Sequence, residues 1–139
     1  INDCQALRQA AKQGVAAICS DHTPVDADGK QLPFGEALPG ASALELLLPL
    51  TLQWAAECGL PLVTALARIT CDPAAILGVS GGSLRPGSAA DICLFDPEEK
   101  WLITPETLRS QGKNTPFLGR EVAGRVRMTL VGGRIVYQR

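Results

Sequence analysis

Ala17-Ile18-Cys19-Ser20-Asp21-His22-Thr23-Pro24 is the stretch on which the reading of the fold turns. The apolar run over residues 15–19 has the length of a buried strand, and it stops at an acid and an imidazole followed by the loop-forming Pro24. A buried strand ending in titratable side chains suits an active site at the carboxyl end of a parallel strand. The strand fixes where the side chains start, and the loop beyond admits a ligand. Asp21 is the candidate metal-binding or proton-transferring carboxylate. The plainer alternative is that Asp21 and His22 cap a turn, and His22 itself reads as structural rather than as a ligand.

Working outward, residues 3–13 carry Cys4, Leu7, Ala10 and Ala11 at helical spacing and stop at Gly14. A helix leading at once into a strand is half of an α/β unit. Residues 23–40 are rich in Pro, Gly and Asp and have no sustained period, which predicts a long loop beside the candidate site. Residues 42–58 read as a helix with Ser42 as N-cap, Glu45 completing a capping box, and Leu44, Leu47, Leu48, Leu52 and Ala55 as the apolar face. Pro49 is expected to kink it and Gly59 to close it. Pro61 opens a helix over residues 62–69, and Asp72-Pro73 opens another, as N-cap and first-turn proline, that ends at Gly78.

From Gly78 onward the pattern changes to short β-like runs at residues 92–95, 101–103, 126–131 and 135–137, the last two joined by Gly132-Gly133, a two-residue hairpin turn by its chemistry. The acidic run Asp96 to Glu99 reads as a solvated hairpin end. Lys113 and Asn114 read as a solvated turn in which Asn114 bonds its own backbone. Trp54 and Trp101 read as core or interface fillers, and Glu45 as a cap. The chain thus divides into an α/β part, residues 1–78, and a β-rich tail, residues 79–139, whose open strand edges call for a partner.

The chain has 139 residues, enough for one domain, and 46% of them are hydrophobic, enough for a core. A net charge of −1, with 13 Lys and Arg scattered along the chain, speaks against nucleic acid. No apolar run approaches the roughly 20 residues that span a bilayer, and the first residues have no signal-peptide plan. The five cysteines are an odd number without a C-x-x-C pair. That pattern reads as reduced, buried thiols of a cytoplasmic protein rather than a disulfide framework, a zinc knuckle or a catalytic thiol.

Several motifs in combination carry a resemblance that covers nearly the whole chain. They are Ile18 to Pro24, Leu38-Pro39-Gly40 with Leu44-Glu45, Asp72-Pro73-Ala74, Gly87-Ser88-Ala89-Ala90-Asp91, Gly112-Lys113-Asn114-Thr115-Pro116-Phe117 and Val131-Gly132-Gly133-Arg134. Together they resemble the C-terminal part of a dihydroorotase-type amidohydrolase. The resemblance implies the last part of a metal-dependent (β/α)8 barrel together with part of a small β-sandwich, in an enzyme interconverting carbamoyl aspartate and dihydroorotate. It assigns residues 15–19 to the eighth barrel strand, metal contact and proton transfer to Asp21, and contact with the substrate ring to the backbone of Pro39 and Gly40. A carboxylate at position 21 turned to bulk water, on a helix or far from the mouth of any β/α layer would overturn the resemblance and both functional readings drawn from it.

Two departures from the family pattern stand out. Active members commonly carry a second histidine three residues after His22 that helps hold the substrate carboxylate; here that place is Val25, which can neither donate a hydrogen bond nor balance an anion. The family's other metal ligands are expected upstream of Ile1. One Asp and one His fall short of the three or so protein ligands of a catalytic zinc, so zinc is expected only with those upstream ligands and no cofactor with this chain alone. The alternative implied by the resemblance is a non-catalytic dihydroorotase-like subunit supporting aspartate carbamoyltransferase. In either case the expected setting is a cytoplasmic oligomer.

Overall fold

The computed structural model describes residues 2–139. In chain order the elements are helices α1 (Asn2–Gln13), α2 (Ala27–Gln31), a single 3-10 turn (Leu44–Leu46), α3 (Leu47–Cys58), α4 (Leu62–Ala67) and α5 (Cys71–Leu77), then strands β1 (Ile92–Leu102), β2 (Glu121–Val131) and β3 (Arg134–Gln138). The strands form one antiparallel sheet in the order β1-β2-β3. Gly132 and Gly133, both at positive φ (55° and 79°), make the tight turn between β2 and β3, as their chemistry predicts.

Two clusters of buried side chains hold these pieces together. In the first, Leu46 of the 3-10 turn packs with Ile103, Leu108 and Val122, with Leu50, Trp101 and Phe117 around them, so α3 lies on the sheet. Trp101 also donates through Nε1 to the Gly124 carbonyl (3.1 Å), and the Arg125 guanidinium sits 4.3 Å above its ring. The second cluster, Trp54, Ala55 and Ala65 with Ala11, Ile18, Cys58 and Leu60 around them, joins α3 and α4 to α1 and to the segment that precedes Asp21. Both tryptophans thus fill packed positions.

Several local expectations are corrected. Residues 15–19 do not form a strand, because a strand requires a ladder and no strand among the described residues pairs with them. Their backbone is tied instead by the Ile18 N–H to the Arg68 carbonyl (2.9 Å). Residues 23–40 are not all loop: Asp26 caps α2 by accepting from the Gly29 N–H (2.7 Å). Ser42 is no N-cap and Glu45 closes no capping box, since the chain enters through a 3-10 turn and α3 starts only at Leu47. Pro49 then falls in the first turn of α3, where its missing N–H costs nothing, and no kink is required. Thr70, not Asp72, occupies the N-cap position of α5.

In the sheet, the runs at 92–95 and 101–103 belong to a single long strand through Leu102. The acidic stretch between them is a bulge, marked by the register shift between Asp96 and Lys100, rather than a hairpin end. Asp96 Oδ1 accepts from the backbone N–H groups of Glu98 and Glu99 (3.0 and 3.2 Å). These donors, first that of Glu98, hold its carboxyl below the usual range. The thiols are not buried either: Cys4, Cys19, Cys71 and Cys93 are exposed and Cys58 is half-buried. Their apolar neighbours in sequence, such as Leu7, Val15, Ile76 and Leu94, are exposed with them. Among the described residues no helix is long and apolar enough to cross a membrane.

Arg68 is the clasp of the helical part. Its Nε donates to the Ala11 carbonyl (2.6 Å), Nη2 to the Lys12 carbonyl (3.3 Å), and Nη1 pairs with Asp72. It therefore supplies a donor to the Lys12 carbonyl at the end of α1, adds a second to that of Ala11, which also receives the Gly14 N–H (3.2 Å), and fastens α1 to α5. Only 11% of the side chain is exposed, so solvent screens these bonds little. Arg68→Ala is expected to cost the full-length protein about 2 kcal/mol in denaturant unfolding, with Arg68→Lys recovering part of it. A loss for the alanine variant below about 0.5 kcal/mol, the ordinary range of a surface change, would show the clasp to be superficial.

Candidate functional site

Asp21 stands at the end of the segment fixed by Ile18 and adopts φ 44°, the one non-glycine residue at positive φ among the described residues. Its side chain is exposed within this chain. A shape-bearing residue in the left-handed region stores strain that the surroundings must enforce. The enforcement is visible on either side. The Thr23 N–H donates to the Ala41 carbonyl (3.0 Å), and Thr23 Oγ1 reaches the Asp21 carbonyl at a long 3.4 Å. His22 turns inward, its Nδ1 accepting from the N–H groups of Ala43 and Leu44 (3.1 Å each). It thereby takes the role at the start of the 3-10 turn that the sequence assigns to Ser42.

Gly40 lies against this loop. It adopts φ 125°, and a Cβ built on it would meet the Thr23 carbonyl oxygen at 2.5 Å and Thr23 Cγ2 at 2.8 Å. Only a residue without a side chain lets the two backbones approach so closely. Pro39 beside it is exposed. Their approach is braced by α2, where the Leu38 N–H donates to the Gly29 carbonyl (3.0 Å) and Lys30 Nζ to the Leu38 carbonyl (2.5 Å). Val25 Cγ1 packs within 3.0 Å of where a Cβ on Gly29 would sit, so this side chain serves the fold of the loop. The three residues singled out in sequence, Asp21, Pro39 and Gly40, thus lie on two segments that touch.

A third segment, not expected to take part, fastens the other two. Asn114 Oδ1 accepts from the Val25 N–H (3.1 Å), its Nδ2 donates to the Gly40 carbonyl (3.0 Å), and its own carbonyl accepts from the Ser42 N–H (2.7 Å). Ser42 is buried, and its hydroxyl donates to the Gly112 carbonyl. Neither Lys113 nor Asn114 is in a free turn: Lys113 Nζ donates to the Leu108 carbonyl (2.7 Å). Glu45, expected as a cap, receives the N–H groups of Arg109 (2.8 Å) and Ser110 (2.7 Å) and anchors the start of this segment. A cleft of about 410 Å³ opens beside it, lined by Lys30, Gly40, Ala41, Asn114, Pro116 and Leu118. A separate apolar groove of about 360 Å³ follows Ile18 and Cys19, between Leu7, Trp54 and Phe117.

The arrangement presents one exposed carboxylate on an enforced backbone next to a bare glycine backbone. A carboxylate so placed can take a proton or serve as one ligand of a cation. It does not by itself fit a catalytic zinc: among the described residues no three His, Cys, Asp or Glu lie together as a metal site, and His22 Nδ1 is engaged by backbone donors.

Comparison with known proteins follows the same lines. The sequence model of the Amidohydrolase family matches residues 2–136. A dihydroorotase of Geobacter metallireducens is 44% identical over 139 residues, 99% of this chain and 33% of its own. A dihydroorotase-like protein of Pseudomonas aeruginosa is 45% identical over 137 residues, 98% of this chain and 32% of its own. Among solved structures, a dihydropyrimidinase from Brevibacillus agri superposes with a TM-score of 0.88 at 27% identity, over 96% of this chain and 31% of that one. The chain therefore spans about a third of the length of the relatives it matches. Asp21 is exposed, the outcome named above as one that would overturn the resemblance, yet the family match over residues 2–136 stands without it, so exposure of this carboxylate in the present chain does not decide the family. With that family match in place, this chain belongs to the amidohydrolase family.

Proposed function

We propose that the protein to which this chain belongs is a dihydroorotase-type cyclic amide hydrolase of pyrimidine biosynthesis, interconverting carbamoyl aspartate and dihydroorotate in the cytoplasm. On this reading residues 15–19, which pair with no strand here, take the place of the eighth strand of a (β/α)8 barrel once the rest of the protein supplies neighbours, residues 1–78 are its closing part, and residues 79–139 contribute to a small β-sandwich. The observation that carries the reading is the contact of the Asp21 loop with Gly40, in a chain whose whole length aligns with dihydroorotases. In the hydrolytic direction water adds to the ring amide carbonyl, the C–N bond breaks, and the nitrogen leaves with a proton. Asp21 takes the proton from the attacking water. The backbone of Pro39 and Gly40 lies along the ring, where the absence of a side chain allows close approach. Zinc, which the resemblance implies, would need ligands outside this chain.

The deciding experiment is a metal analysis of the full-length protein paired with a dihydroorotate hydrolysis assay. Turnover with bound metal supports the enzyme. Absence of both supports the second reading, a dihydroorotase-like subunit without catalysis that supports aspartate carbamoyltransferase. Val25 is the residue that speaks for this reading, since its side chain offers no donor to a substrate carboxylate, but this one position does not outweigh alignment over the whole chain with dihydroorotases. In an active protein Val25→His is expected to lower KM for dihydroorotate by roughly 10- to 100-fold, the worth of one charge-assisted bond. No gain in cyclisation on Val25→His, in a protein that also binds no zinc, fits only the subunit.

A further inference from the structure

We infer that Asn114 is a positioning residue that sets the spacing between the Asp21 loop and Pro39-Gly40, an inference that rests on the hydrolase reading above. Its amide reaches two backbone segments far away in sequence, 89 residues to Val25 and 74 to Gly40. Its orientation is fixed by chemistry. A backbone N–H can only donate and a backbone carbonyl can only accept, so the amide oxygen faces Val25 and the amide nitrogen faces Gly40. No other uncharged side chain of this length offers both functions in one plane. The backbone of the same residue is held by the Ser42 N–H (2.7 Å), so the amide projects from a fixed base rather than from a mobile loop. The segment is also pressed against the Asp21 loop: a Cβ on Gly112 would meet Pro24 Cβ at 2.6 Å. The two arms that the amide joins carry different parts of the reaction, proton transfer on one and ring contact on the other. Their separation fixes how the scissile amide stands relative to the carboxylate.

The two hydrogen bonds can be cut separately. Asn114→Asp keeps an acceptor for the Val25 N–H but replaces the donor to Gly40 with an oxygen facing an oxygen. Asn114→Ala removes both. In the full-length protein Asn114→Asp is expected to raise KM for dihydroorotate roughly 10-fold and to change kcat by less than about 3-fold, since the ring-contact arm alone is released. Asn114→Ala is expected to lower kcat roughly 10-fold as well. Amide hydrogen exchange supplies a readout independent of turnover: Val25 stays protected in Asn114→Asp and exchanges at least about 10-fold faster in Asn114→Ala. Parent-like kinetics and Val25 protection in both variants would overturn the inference. So would a uniform loss of protection with KM unchanged in the folded fraction, which marks a merely structural residue. A parent without turnover sinks the hydrolase reading alone. The tether is then judged by exchange, which supports it if Val25 loses protection only in the alanine variant and overturns it if the two variants match.

Discussion

Replacing Asp21 with Asn is expected to cut dihydroorotate turnover of the full-length protein by roughly 10²- to 10⁴-fold, the usual range for removing a group that moves a proton in the transition state. The substitution is unusually clean here for a backbone reason. At φ 44° most side chains are strained, but Asn tolerates the left-handed region about as well as Asp does. The exposed carboxylate also leaves no buried partner stranded. Stability in denaturant should therefore stay within about 0.5 kcal/mol of the parent. Asp21→Ala should lose the same activity and about 1 kcal/mol of stability besides, because Ala has no such tolerance. A full-length Asp21→Asn protein that keeps more than a tenth of parental turnover rules out the assigned role.

Gly40→Ala carries the second large effect, and it acts through geometry rather than chemistry. The added carbon would stand 2.5 Å from the Thr23 carbonyl oxygen, which is backbone and cannot swing away, and φ 125° is itself costly for any residue with a side chain. The two segments must part, and the bond from the Thr23 N–H to the Ala41 carbonyl stretches with them. A loss of roughly 3 kcal/mol in unfolding is expected, with KM for dihydroorotate rising by at least about 10-fold in the protein that remains folded. Gly59→Ala is the control. It has positive φ (64°) but open space around the new carbon, so it should cost only about 1 kcal/mol. Equal losses at both positions would show that the dihedral, and not the contact of the two loops, is what Gly40 serves.

Local rules read well where the local chain decides the outcome. Helix α1 ending before Gly14, α3 closing at Gly59, α5 ending at Gly78 and the Gly132-Gly133 turn all depend on a few adjacent residues. Asp21, Pro39 and Gly40 are singled out through family resemblance alone, and the contact between the loops that carry them emerges only in three dimensions. Residues 15–19 have the composition of a strand but need ladder partners, which composition cannot supply. Ser42 and Glu45 match a capping box letter for letter, yet each is claimed by the segment near residue 110, and a competing partner 65 or 70 residues away has no trace in a local window. Asn114 is the same case. Between Gly-Lys and Thr-Pro it looks like a turn residue, and only the two loops folding onto it reveal the cross-link.

The engagement of His22 has a further consequence for the imidazole. With Nδ1 offered as a lone pair to two backbone donors, the ring proton must reside on Nε2, so the tautomer is fixed by the main chain rather than by any acid or base nearby. The ring can offer a hydrogen outward through Nε2, but loading Nδ1 would expel both amides and unpick the 3-10 turn. This histidine is consequently a two-faced group, a donor to whatever approaches its outer edge, with its inner edge given over to accepting the two main-chain N–H groups.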